Sequence, residues 1–432
     1  MQKHISIILA TIVLSSCSPP EGITNRTDYG SVLNNSPAWR TSNVDSDIAF
    51  WSERLLARPG DVTSLISLAD ALATRFDGFG ELSDLHHSDS IYLSLLNHPA
   101  VGKAGIYQKL ALNAMAKHDF LAAEDFVTEA LKTGDQMSTS RLILADIAFE
   151  RGFYQHARRM LENYKNKNAF AYLVRDSKLL DQSGKLTEAI GVMEKAYRRI
   201  SGNQRLACWT LSTLGDMYGH AGRVRDSYEA YLDVLHLDPG YVHALKGIAW
   251  IAISHDHNTA DAREIVRYLA SGEKRMPELN LMVAEIASVE GKAEEMQSAY
   301  AAFMEMTEGE GYDAMYARHR AIMAADQFEN ASQCINIAQN EIVNRPSAQS
   351  YDLLAWGYYR AGRYTDALTI VKEHVMGKAF EPGILYHTGM ILKGAGFDHE
   401  AEKHLDDALE GSFELGPALA LEVKNALDDQ NE

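Results

Sequence analysis

The chain has 432 residues, 46% hydrophobic and 23% charged, with a formal net charge of −18 and three cysteines. That length supports a sizeable core. The excess of 59 acidic over 41 basic residues argues against a nucleic-acid surface or one lying flat on anionic lipid, since both demand basic faces. Three cysteines exclude a disulfide scaffold.

Lys3 and His4 are followed by the apolar run Ile5 to Leu14, then by Leu14-Ser15-Ser16-Cys17. A basic start, a short apolar run and small residues before a cut read as an export signal over residues 1–16. The run is shorter than the about 20 residues a membrane-spanning helix needs. Leu-Ser-Ser-Cys resembles the bacterial lipobox. The resemblance implies cleavage before Cys17, lipid on that cysteine, and an outer-membrane address because Ser18 follows rather than Asp. An ordinary export signal with an incidental cysteine is the competing reading. Residues 17–43, rich in Ser, Asn, Pro and Gly without periodicity, read as a flexible tether.

Residues 44–103 read as an atypical N-terminal helical unit. An apolar stripe runs from Ser46 to Leu56, and Asp61 is placed to cap a helix carrying Leu65, Leu68, Ala69 and Leu72. A break is expected from Arg75 to Gly80, before a further helix from Ser90 to Leu96. From residue 104 the pattern becomes regular. It is plainest over Leu211–Pro239, where Leu211, Leu214, Gly215 and Tyr218 fall on one helical face. Gly222 supplies a turn, and Tyr228, Tyr231, Leu232, Val234 and Leu235 form a second face that Asp238-Pro239 stops. The turn glycine recurs at Gly152, Gly184, Gly222, Gly291, Gly362 and Gly396, separated by 32, 38, 69, 71 and 34 residues. A small residue recurs with it, at Ala123, Ala157, Ala189, Ser227, Ala331, Ala367 and Ala401, with Met296 the exception.

This pattern resembles the tetratricopeptide repeat, whose period is about 34 residues. The bland alternative is a helical bundle with chance periodicity. The resemblance implies an all-α fold, a right-handed superhelical solenoid of about nine to ten helix-turn-helix repeats over residues 104–415, with a closing helix and tail at 416–432. The run from Ser350 to Gly396, with Ser412 to Pro417 after it, looks like the end of a group of bacterial tetratricopeptide lipoproteins, a likeness that implies no activity. Cys208 and Cys334 fall three repeats apart, beyond disulfide reach in a solenoid whose repeats touch only neighbours, and read as small core residues.

Chemistry-bearing motifs are sparse. His255-Asp256-His257 sits in an interhelical turn and offers three possible ligands, but a stable metal site wants a fourth and outer support. Asp256 equally suits a turn hydrogen bond. The sequence lacks the G-x-S-x-G, H-E-x-x-H and C-x-x-C patterns. We therefore expect no enzyme, cofactor or metal. The resemblance instead implies that first helices line a concave groove, placing Lys178, Asp216, Lys246, Trp250, Arg320, Trp356, Tyr359, Arg360 and Tyr386 along it. Trp, Tyr and Arg dominate binding hot spots. Trp250 and Trp356 have a second reading, as fillers between adjacent units. The expected function is a membrane-anchored scaffold or adaptor holding a protein or peptide partner at the bacterial envelope. The alternatives are an assembly factor for outer-membrane or pilus components and a glycan-binding lipoprotein.

Overall fold

A computed structural model of the chain describes residues 22–35, 42–272, 276–309 and 311–428. The expected signal segment and Cys17 lie outside these residues. The described elements are helices. Four precede the regular part: α1 (Arg26–Leu33), α2 (Ser42–Ala57), α3 (Val62–Phe79) and α4 (Leu82–Leu95). Hairpins follow: α5 (Lys103–Ala116) with α6 (Phe120–Lys132), α7 (Met137–Glu150) with α8 (Tyr154–Glu162), and α9 (Phe170–Gln182) with α10 (Leu186–Tyr197). The central ones are α11 (Gln204–His220) with α12 (Val224–Leu237), α13 (Val242–Ser254) with α14 (Thr259–Ala270), and α15 (Glu278–Val289) with α16 (Ala293–Met306). A single turn, α17 (Tyr312–Met315), leads into α18 (Ala317–Asp326) with α19 (Ala331–Asn344). The last hairpins are α20 (Ala348–Arg360) with α21 (Tyr364–Ile370), continued by a π turn at Val371–Val375, and α22 (Pro382–Gly394) with α23 (Asp398–Glu410). The final helix is α24 (Ser412–Asp428). The architecture is an all-α solenoid of tetratricopeptide-type hairpins.

The register is set at the turns. A left-handed residue closes the first helix of each hairpin at His118, Gly152, Gly184, Gly222, His257, Gly291, Glu329, Gly362 and Gly396, with φ between 48° and 82°. Glycine adopts this conformation without a Cβ clash, whereas His118, His257 and Glu329 hold it at some strain. His257 and Glu329 divide the long glycine gaps, giving spacings of 35, 34, 38 and 33 from Gly222 to Gly362. Five residues beyond the turn residue stands the side chain on which the two helices close, and in eight of the nine described hairpins it is small, the partly buried Met296 after Gly291 being the exception. The small ones are Ala123, Ala157, Ala189, Ser227, Ala262, Cys334, Ala367 and Ala401, each no more than 2% exposed. Cys334 therefore fills the position expected of Ala331, which only opens α19; the glutamate at the preceding turn hid the register. Cys208 and Cys334 are free, buried thiols, and burial pushes them up to about 11 and about 12.

Two segments depart from expectation. The α3 helix runs unbroken to Phe79, and Gly80, at φ 72°, ends it in the left-handed conformation. The expected break is thus a single cap, because Phe76 is buried and holds the last turn against the core. More consequentially, part of the expected tether is folded. Asn25 caps α1 by accepting from the Thr27 N–H, and Tyr29 and Val32 bury the helix against α12 and α14.

Contacts also cross between distant repeats. Asn344 accepts from the Phe120 N–H at 3.0 Å and donates to the His118 carbonyl at 2.6 Å, while the Arg151 guanidinium donates to the Asn344 carbonyl at 3.2 Å. The Tyr312 hydroxyl likewise bridges Leu82 N–H and the Gly80 carbonyl, both at 3.1 Å. The solenoid winds tightly enough to close on itself, beyond nearest-neighbour packing. The last helix, α24, stays packed on α23 and α22 and also lies along α11, α13 and α15, the first helices of three central hairpins.

Candidate functional site

The C-terminal helix α24 packs on the first helices α11, α13 and α15, and the candidate site is built there. On α13, His243, Lys246, Gly247 and Trp250 share one helical stripe, and on α11 Asp216 and His220 sit one turn apart. Together with Tyr231, Met282, Phe413 and Glu414 they line a cleft of about 340 Å³. Gly247 is required here: a Cβ would come within 2.3 Å of the Tyr231 ring. That close approach lets the Tyr231 hydroxyl donate to Asp216 Oδ1 at 2.6 Å, while His243 Nε2 lies 2.9 Å from both Asp216 oxygens. Burial pushes the Tyr231 hydroxyl well above its ordinary value, reinforced by the Asp216 charge.

Lys246 donates to Glu278 at 2.9 Å, and the same carboxylate accepts from the Tyr316 hydroxyl at 3.1 Å. Burial alone would raise the Glu278 carboxyl, but Lys246 and these hydrogen bonds outweigh it and hold it below its ordinary value. Glu414 runs the other way: burial raises it, with His220 3.9 Å away pulling against the shift. The cleft thus presents paired charges of both signs around the Trp250 and Tyr231 rings.

One wall of the cleft belongs to the chain's own C-terminal segment. The Trp250 indole donates to the Phe413 carbonyl at 3.0 Å, and Glu285 accepts from the Ala418 N–H at 3.1 Å. Between them Gly416 leaves the helical conformation, at φ 76° and ψ 166°, ahead of Pro417. The Phe413 ring seats over Gly219, where a Cβ would approach it to 2.5 Å. Two side chains of the groove therefore hold the main chain of an interrupted helix.

Of the residues expected along the groove, Asp216, Lys246 and Trp250 meet at this cleft. A second set gathers around Asp326, away from it. Trp356 is 2% exposed, donates to Asp326 at 2.9 Å, and stacks on His387 at 4.1 Å and Tyr359 at 4.9 Å. Arg360 pairs with the same carboxylate, and the buried Tyr386 hydroxyl reaches Glu422 of α24 at 3.4 Å. Burial raises Asp326, with His387 and Arg360 opposing. For Trp356 the gap-filling alternative describes its position: it lies in the core between hairpins, not on an open groove. Arg320 is also buried, donating to the Met304 carbonyl and the Thr307 hydroxyl, each at 2.9 Å, where it ties down the end of α16. Lys178 stands apart from both sets, exposed, 3.4 Å from Glu150.

His220, His243, Phe413 and Glu414 were missed from sequence. The i, i+3, i+7 stripe from His243 to Trp250 carried a signal for His243. Nothing local marks Phe413 as a neighbour of Trp250. In the His255-Asp256-His257 turn, both Asp256 oxygens are taken by α1's leading segment: Oδ1 accepts from the Ile23 N–H at 2.8 Å, and Oδ2 from Thr24 N–H at 2.7 Å and Thr24 hydroxyl at 2.6 Å. His255 Nδ1 is 2.8 Å from Asp256 Oδ1, and His257 is the left-handed turn residue. Among the described residues no group of three or more His, Cys, Asp or Glu side chains is placed to hold a metal.

No protein-family model matches the chain, and no curated protein matches its sequence. Solved structures resemble it in course. A tetratricopeptide repeat protein from Parabacteroides merdae is 15% identical, with a TM-score of 0.35 over 61% of this chain and 99% of that one. PilW, a type IV pilus biogenesis factor, is 16% identical, with a TM-score of 0.39 over 50% of this chain and 99% of its own. Human IFIT1 is 14% identical, with a TM-score of 0.43 over 85% of this chain and 94% of that one. At these values nothing about partner or activity passes from those proteins to this chain. Among the described residues no helix is long and apolar enough to cross a membrane.

Proposed function

We propose that the chain is a non-catalytic scaffold of the bacterial cell envelope, anchored through lipid on Cys17, that holds an extended segment of a partner protein in the cleft between α11 and α13. The observation that carries this reading is the grip of Trp250 and Glu285 on main-chain groups at Phe413 and Ala418. Side chains that engage a backbone carbonyl and a backbone N–H recognise peptide as such, whatever its sequence. The open remainder of the cleft continues that track past His243 and Lys246, where a partner's carboxylates would meet the Lys246 ammonium and its apolar side chains the Trp250 ring. The lipid would confine the scaffold and raise the partner's effective concentration at the membrane.

The test is a photo-crosslinking residue in place of His243 in the full-length chain in cells, run with and without Lys246→Ala. The reading expects one polypeptide trapped at this position, and its loss on Lys246→Ala. No adduct, or one indifferent to Lys246, from a folded chain overturns it.

A further inference from the structure

The α1 segment fixes more than its own position. Gly22 abuts the Asp256 side chain, Ile23 and Thr24 are bound to its carboxylate, and the Asn25 N–H donates to the Tyr228 hydroxyl at 3.0 Å. Arg26 forks onto Glu264 with two bonds of 2.6 Å, and Tyr29, fully buried, donates to Asp261 at 3.1 Å. All of these partners lie on α12, α14 or the turn before α14, the second helices of two central hairpins. The cleft is lined chiefly by the first helices α11 and α13 of the same hairpins, with Tyr231 of α12 and Phe413 and Glu414 of α24. The segment is therefore strapped to the second helices, apart from the α11 and α13 side chains that line the cleft.

We infer that the outer face of α12 and α14 is the surface the protein turns toward the lipid bilayer. The inference rests on the proposed lipid at Cys17. From Cys17 to Gly22 is five residue steps, which fully extended span at most ~18 Å. A tether free to residue 43 would instead span up to roughly 90 Å and impose no orientation. With the strap docked, the turn at Asp256 stays within one short leash of the headgroups, and the cleft opens away from the membrane. The side chains exposed on these two helices are mainly acidic, Asp226, Glu229, Asp233 and Glu264 against Arg225 and Arg267, so charge supplies no pull toward anionic lipid. The length of the leash alone sets the orientation.

The experiment uses the full-length, lipid-bearing chain in vesicles of phosphatidylethanolamine and phosphatidylglycerol with a headgroup-labelled acceptor. Donor dyes are placed on Arg267→Cys, beside the strap, or on His243→Cys, at the cleft. The expected result is markedly stronger energy transfer from the strap side, at least twofold. The difference should collapse when Asp256→Asn with Arg26→Ala releases the strap. Equal or reversed transfer in a membrane-bound chain overturns the orientation and leaves the anchor standing, as does a difference that survives strap release. A chain whose Cys17 peptide lacks the mass of the lipid overturns the anchoring reading itself.

Discussion

At the scale of single residues, the strongest constraints are places where one side chain leaves no room for another. Gly247→Ala drives a methyl into the Tyr231 ring and should cost about 1–3 kcal/mol, as overpacking does. Urea unfolding followed by circular dichroism would measure it, and an unchanged midpoint would contradict the packing described. Trp356→Ala should cost about 3–5 kcal/mol, because it empties a buried site and removes one of the two donors to Asp326, leaving Arg360. It is consequently a probe of stability and a poor probe of binding, whereas Lys246→Ala removes a partly exposed charge, leaves Glu278 the Tyr316 hydrogen bond, and should cost only about 1 kcal/mol. A Lys246 variant as damaging as the Trp356 one would show that the cleft is part of the core.

At the scale of elements, the two chain ends respond to acid in opposite directions. Burial alone would raise Asp256, but the Thr24 hydroxyl, His255 and two backbone N–H groups outweigh it and hold its carboxyl below the ordinary 3.8. A lowered folded value contributes stability that is present above the unfolded value and lost as pH falls through the folded one. Around α24, burial raises Glu285 and Glu414 above the ordinary 4.5, and raises Glu422 too, with Asp326 adding repulsion. Raised values contribute stability that is complete below the unfolded value and lost as pH rises through the folded ones. Amide exchange, corrected for its intrinsic pH dependence, should show α1 loosening below about pH 4 and α24 loosening as pH climbs from about 4 toward neutral. Parallel responses of the two helices would refute this assignment. The hairpins were legible in the sequence because period and turn residue are local signals; the seats of α1 and α24 were not. A helix such as Arg26–Leu33, with two apolar anchors, has too little pattern to stand out from a linker. Its stability comes from Asp256, Asp261 and Glu264, more than 230 residues away.

At the scale of the whole molecule, Asn344 links hairpins 226 residues apart and stands for the closure of the superhelix. Asn344→Ala leaves the Phe120 N–H and the His118 carbonyl without this partner, and should widen the coil more than it unfolds any hairpin. Small-angle scattering should report a larger radius of gyration at undiminished helicity; an unchanged radius would mean that the coil is set by repeat packing alone. The strap carries a different consequence, one of timing. It is made first, yet its seat at Tyr228 to Glu264 follows about 200 residues later. At about 5–20 residues per second, Ile23, Tyr29 and Val32 wait roughly ten to forty seconds with nothing to cover them. During synthesis this segment is an unprotected apolar stretch, and a holding factor has its clearest opportunity there.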